Sequence, residues 1–232
     1  MSRWIVVLTV LVGSSLAHAD LDLPFGFSSG RSIESLDMGH SVTLPAFDAA
    51  VFQDRTHWIN EFEVVILINK SSKGSTKQSL VLYKNGVETL KTKVSTGREK
   101  IEKKRTLFRW HAPKKTYFST TNTGFFGVLW MNTLHKSKLW GTEMPYAVFF
   151  DGGIAVHQAP EGTEGALGKR ASGGCVRVSK NVASTIYSYI FHAGKGSVPQ
   201  FTQTGEPKRD ANGNIVRKSD YKTLIIVQDI QD

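Results

Sequence analysis

The sequence predicts a mainly β domain with one or two short helices and one long aromatic-rich stretch that serves as a lid loop. Three observations carry this. The apolar runs are short and rich in β-branched residues, glycine turns separate them, and only one segment shows a helical period. No internal repeat or low-complexity tract interrupts the pattern.

The elements follow in chain order. Residues 20–60 mix Gly, Ser, Pro and scattered apolar residues without a period, and are expected as an extension packed loosely on the domain. Phe62 to Asn69 reads as the first strand, and Leu80 to Tyr83 as the second. Asn85-Gly86 tolerates positive φ and so suits a two-residue hairpin turn, after which Val87 to Val94 returns as the partner strand. Arg98 to Arg105 holds five basic and two acidic residues and reads as a solvated loop. Thr106 to Trp110 alternates weakly and is a further candidate strand. Residues 113–143 lack a steady period yet carry Tyr117, Phe125, Phe126, Trp130 and Trp140, so they are expected to form either a packed insertion or a binding lid, with a lid or groove wall favoured. Pro145 to Phe150 and Ile154 to His157 form a hairpin around Asp151-Gly152-Gly153, which sets His157 at the end of a core strand. Val176 to Val178 is a short strand leading into the one clear helix. Ser179 caps that helix, Val182, Ile186 and Ile190 share a face, and Gly194 ends it. A last hairpin turns at Asn212-Gly213 and finishes in Tyr221 to Gln228.

The N-terminus is built for export. Arg3 supplies a positive start, Trp4 to Val12 is apolar apart from Thr9, and Ala17-His18-Ala19 is a cleavage site of the A-x-A type. The apolar run is too short to span a bilayer, so residues 1–19 are expected to be a signal peptide, with no stable membrane insertion. The expected location is the periplasm or cell envelope. The formal net charge of +9 falls by one, to +8, when Arg3 leaves with the signal. An exported basic protein does not routinely meet nucleic acid, so the field favours anionic polymers of the envelope.

Cys175 is the only cysteine of the chain, so no intrachain disulfide can form. A thiol left unpaired in an oxidising compartment is retained for its reactivity more readily than for packing. It lies in Ser172-Gly173-Gly174-Cys175-Val176-Arg177, downstream of His157. A nucleophilic cysteine needs a base within reach, which His157 can supply, and in acyl transfer the same imidazole returns the proton to the leaving amine. Glycines let the backbone turn sharply, so the amides around Gly173, Gly174 and Cys175 can point at a developing oxyanion. Arg177 lies two residues along a strand from Cys175, hence on the same face, and can hold a carboxylate.

Fourteen residues separate His157 from Ser172, and the second block reads Ser-Gly-Gly-Cys-Val-Arg. This resembles the signature of the L,D-transpeptidase catalytic domain (YkuD family): a histidine, a gap of this size, then Ser/Thr-His-Gly-Cys, an apolar residue and Arg or Asn. The Asn-Gly hairpin ending in Val94-Ser95-Thr96-Gly97, the strand Met144 to Phe150 and Leu167-Gly168-Lys169 also have family counterparts. The resemblance implies a β-sandwich or barrel catalytic domain over residues 61–230. It implies Cys175 as nucleophile and His157 as general base and acid, oriented by a backbone carbonyl for which Gln158 is the candidate. Ser172, Gly173, Gly174, Arg177 and Tyr146 would line the oxyanion and substrate site, with no metal and no cofactor.

The implied reaction begins at the L,D peptide bond after diaminopimelate in a peptidoglycan tetrapeptide stem, from which D-alanine is released. The cysteine thioester then passes to an amine acceptor (a second stem peptide, a D-amino acid or a protein) or to water. The first outcome gives 3-3 cross-links or attached proteins in cell-wall remodelling, and the second is L,D-carboxypeptidase activity. One position departs from the family pattern: Gly173 stands where a second histidine is usual. A sortase would carry its histidine much further upstream, and a papain-like protease reverses the order of cysteine and histidine. The reading of a different class is a catalytically weakened peptidoglycan-binding module, which retention of both Cys175 and His157 argues against.

Overall fold

The computed structural model describes residues 41–104, 115–138 and 140–232. The signal segment 1–19, the first half of the extension and the candidate strand 106–110 lie outside the described residues. No helix among the described residues is long and apolar enough to cross a membrane.

Val64–Asn69 (β1) is the middle of the larger sheet. Its run of Val, Ile and Leu suits a strand covered on both faces. It pairs antiparallel with Ser79–Lys84 (β2), which pairs with Val87–Lys93 (β3) across the Asn85-Gly86 turn. Asn85 and Gly86 both take positive φ, 49° and 77°, as that turn demands. On its other side β1 runs parallel to the last strand of the chain, and the sheet ends with Gly124–Gly127. Between them, Ile101–Lys104 (β4) and Lys115–Phe118 (β5) form a separate two-stranded ribbon.

We label Gly124–Gly127 as β6, Trp130–Lys136 as β7, Glu143–Asp151 as β8 and Ile154–Gln158 as β9. Val176–Val178 (β10) completes a second, four-stranded sheet in the order β10-β9-β8-β7, with β10 parallel to β9. Lys180–Ala193 is the single α-helix among the described residues (α1), ended by Gly194 at φ 65°. Lys195–Pro199 (β11) pairs with Arg217–Tyr221 (β12), and Thr223–Gln228 (β13) enters the large sheet between β1 and β6.

The main core lies between the two sheets and α1. Val64, Ile66, Ile68, Leu82 and Ile225 meet Val148, Phe150, Val156, Val176 and Val178, with Ala183, Ile186 and Ile190 of α1 closing one side. The outer face of the large sheet carries a second cluster, in which Val65, Leu224 and Ile226 pack under Leu44, Trp58, Ile59 and Phe62. The described part of the extension is therefore docked rather than loose: Trp58 is buried and stacks on Phe201 at 5.6 Å. A third, smaller cluster of Met144, Ala147, Phe149 and Ala155 lies on the outer face of the four-stranded sheet, where Cys175 joins it.

The mainly β class is as the sequence predicts. The 113–143 stretch is more ordered than a lid loop, since much of it forms β5, β6 and β7. Its period is unreadable because these pieces are short and separated by a buried polar connection, Ser119 to Thr123. The last hairpin also differs: a turn does form at Asn212-Gly213, but β13 leaves it to pair with β1 and β6, far away in sequence.

Candidate active site

Alternation along the four-stranded sheet sets the site. Val156 and Val176 are register partners that face the core, so their neighbours His157 and Arg177, also partners, face outward. Cys175 stands two residues before Arg177 and shares that face, above Ala155. Nucleophile candidate, histidine and guanidinium thus rise from one surface on two adjacent strands.

The turn leading to Cys175 is held from inside. Ser172 is fully buried; its hydroxyl accepts from the Gly174 amide (3.0 Å) and donates to the Cys175 carbonyl (2.5 Å). The Ser172 amide donates to the Thr96 carbonyl (2.9 Å), and the Arg98 amide donates to the Ser172 carbonyl (3.1 Å). Thr121 accepts from the Gly97 amide (2.9 Å) and donates to the Gly174 carbonyl (2.6 Å), tying three segments together. Gly174 has φ 138°, and a Cβ there would lie 2.8 Å from the Thr120 carbonyl oxygen, so only glycine fits. Behind this turn the buried Lys70 ammonium donates to the Thr121 carbonyl (2.8 Å) and pairs with Glu99 (3.1 Å). Glu99 in turn accepts from the Thr120 hydroxyl and the Thr121 amide.

His157 is 3 % exposed, and its Nδ1 makes no hydrogen bond of ordinary geometry. Burial pushes its pKa down to about 4; the Gln158 backbone opposes this, while the charges of Arg177 and His135 add to it. The imidazole is therefore neutral at neutral pH and able to accept a proton. Burial pushes the half-buried Cys175 thiol up, against the backbone of Ala155 and the Arg177 cation. At rest Cys175 is therefore a thiol and His157 a neutral imidazole. Arg177 is held below its ordinary value, first by burial, and its Nε is buried without a partner. A guanidinium in that state is a ready partner for a carboxylate that arrives with a ligand.

The structure brings together Cys175, His157, Arg177, Gly173 and Gly174, with Ser172 buried beneath them as a brace. Tyr146 is not with them. Alternation along β8 turns its side chain to the helix side, opposite Ala147 and Phe149, where its ring meets Tyr187 of α1 at 5.9 Å. Two neighbours escape a reading of the sequence. His135 packs edge-on against Phe149 (5.1 Å) and Trp130 (5.3 Å), on the cysteine's side of the sheet. Strict alternation would not put it there: Tyr146 takes φ 55°, Thr133 has no register partner, and the Asn132 side chain accepts from the Leu134 amide. Thr121 is fully buried in a run of polar residues with no motif. Trp140, one of the aromatic residues expected in a lid or groove wall, lies over Gly173.

A family model of the L,D-transpeptidase catalytic domain (YkuD) matches residues 63–199, more than half of the chain, and the chain belongs to that family. The match stops short of β13, although this strand lies inside the large sheet. Among solved structures, an L,D-transpeptidase from Xylanimonas cellulosilytica is 23% identical over 72% of this chain and 60% of its own, with TM-score 0.45. One from Mycobacterium smegmatis is 18% identical over 72% and 59%, with TM-score 0.42. One from Mycobacterium tuberculosis H37Rv is 20% identical over 72% and 58%, also with TM-score 0.42. The chain thus spans about 60% of the length of the first of these solved chains. The curated proteins contain no match.

Proposed function

We propose that the protein is an exported cysteine acyltransferase that acts on peptidoglycan tetrapeptide stems. The observation that carries this reading is the single outward face shared by Cys175, a buried neutral His157 and Arg177, in a chain of the L,D-transpeptidase family. His157 takes the thiol proton as Cys175 Sγ attacks the carbonyl carbon of the bond between diaminopimelate and D-alanine. The Gly174 amide is engaged by Ser172, so the oxyanion donors are the amides of Gly173 and Cys175. Collapse breaks the C–N bond, and D-alanine leaves as an amine carrying the proton from His157. The thioester then accepts an amine, whose proton passes to His157, and the new amide frees the thiol. Arg177 holds a substrate carboxylate at the rim.

Incubating sacculi with the protein and analysing the digested muropeptides tests this. New diaminopimelate-to-diaminopimelate dimers, absent with Cys175→Ala, are the expected result. Tripeptides without dimers would make the protein an L,D-carboxypeptidase instead. Unchanged tetrapeptides would overturn the reading and leave a binding module.

A further inference from the structure

Gly173 needs no positive φ, so its lack of a side chain has a steric cause. A Cβ built there would lie 2.9 Å from Cζ2 of Trp140, with Cε2 at 3.3 Å and Nε1 at 3.5 Å. The indole is laid against the backbone two residues from the cysteine, yet it keeps 40% of its surface exposed. It does not lie there loosely. Tyr117 meets it edge-on at 5.3 Å, and the Tyr117 hydroxyl donates to Glu102 (2.5 Å). Arg98 grips the same Glu102 with two nitrogens and donates from Nη1 to the Ala171 carbonyl (2.8 Å). The bracket therefore begins and ends on the nucleophile turn, at Ala171 and at Gly173. A large apolar face, half open to solvent and braced beside a reactive thiol, is what an incoming chain would pack on.

We propose that Trp140 is a specificity-determining residue of the Cys175 site, forming the apolar wall against which the donor peptide rests, with Gly173 bare to admit the indole. This rests on the reading of Cys175 as the nucleophile. The wall faces the uncharged part of the donor, the aliphatic chain and methyl groups around the scissile bond, and leaves the carboxylates to Arg177. Proton transfer stays with His157, so Trp140 acts on binding and not on the chemical step.

A double-mutant cycle on Trp140→Ala and Gly173→Ala tests it, following D-alanine release from a disaccharide-tetrapeptide. Trp140→Ala should raise KM about tenfold and leave kcat within about threefold, as expected for loss of uniform binding. Trp140→Phe should recover most of the KM. Gly173→Ala should impair the wild-type background and cost little where Trp140 is already alanine, because the clash is gone. An unchanged KM in Trp140→Ala, or equal effects of Gly173→Ala in both backgrounds, overturns the inference. D-Alanine release that persists in Cys175→Ala would instead bring down the nucleophile reading, and no release by the wild type would bring down both.

Discussion

The residue on which the proposed chemistry turns is His157, because its burial decides whether the imidazole can act as a base. With a pKa pushed down to about 4, it is already a base where an ordinary histidine would be half protonated. The activity of the free enzyme should therefore rise with pH through about 4 and be level by pH 6. A kcat/KM profile for the tetrapeptide measures this, since it reports the free enzyme's groups. An acid limb near 6.5 would mean a solvated imidazole. The same shift makes stability depend on pH. Above 6.5 both folded and unfolded histidines are neutral; below it the unfolded one takes a proton that the folded one refuses until about pH 4. Stability is thus complete above 6.5 and falls as pH drops through that window, by on the order of 3 kcal/mol. Urea unfolding at several pH values should show this for the wild type, and His157→Gln should lose that part of it. At this scale the sequence was informative: a lone cysteine, a histidine at a strand end and an arginine two positions on stand together in the structure. Tyr146 was not, because the resemblance placed it in the site while alternation from Phe149 turns it to the helix.

At the scale of elements, the turn that carries Cys175 depends on segments without a motif. Thr121 bridges Gly97 and Gly174, and the Lys70–Glu99 pair braces it from behind. Thr121→Val keeps the shape but leaves a buried amide and a buried carbonyl without this partner, at a cost of about 1–3 kcal/mol. Gly174→Ala adds both a positive-φ strain and a contact with the Thr120 carbonyl, and should be at least as damaging. Thermal unfolding of both variants, read beside the rate of Cys175 alkylation, separates loss of fold from displacement of the thiol. The strands and helix with a clean period, β1 to β3, β8, β9 and α1, were legible in the chain. The 119–123 connection was not, since a buried polar run has the composition of a surface loop. His135 was hidden for another reason: the irregularity at Thr133 and Tyr146 breaks the alternation that would have told its face.

The described residues stack the five-stranded and four-stranded sheets about a shared core, with the candidate site on the face of the four-stranded sheet that this core does not use. Its stability rests on non-local pairing, above all β13 parallel to β1, and no local pattern in the sequence states which strands will meet. Ile225 is fully buried between the sheets, so Ile225→Ala should destabilise the domain by about 2–5 kcal/mol in urea unfolding, although it lies beyond the family match. The extension from Leu44 to Phe62 covers the opposite face of the large sheet and belongs to the same packed unit. With the scaffold so arranged, the central claim is that Cys175 is an acyl-accepting nucleophile. The most direct measurement is the intact mass of the purified protein after incubation with a carbapenem, a strained acyl donor that leaves a stable covalent adduct on such a thiol. We expect one adduct per wild-type chain and none on Cys175→Ala. No adduct on the wild type, or one that persists without the cysteine, would contradict the account.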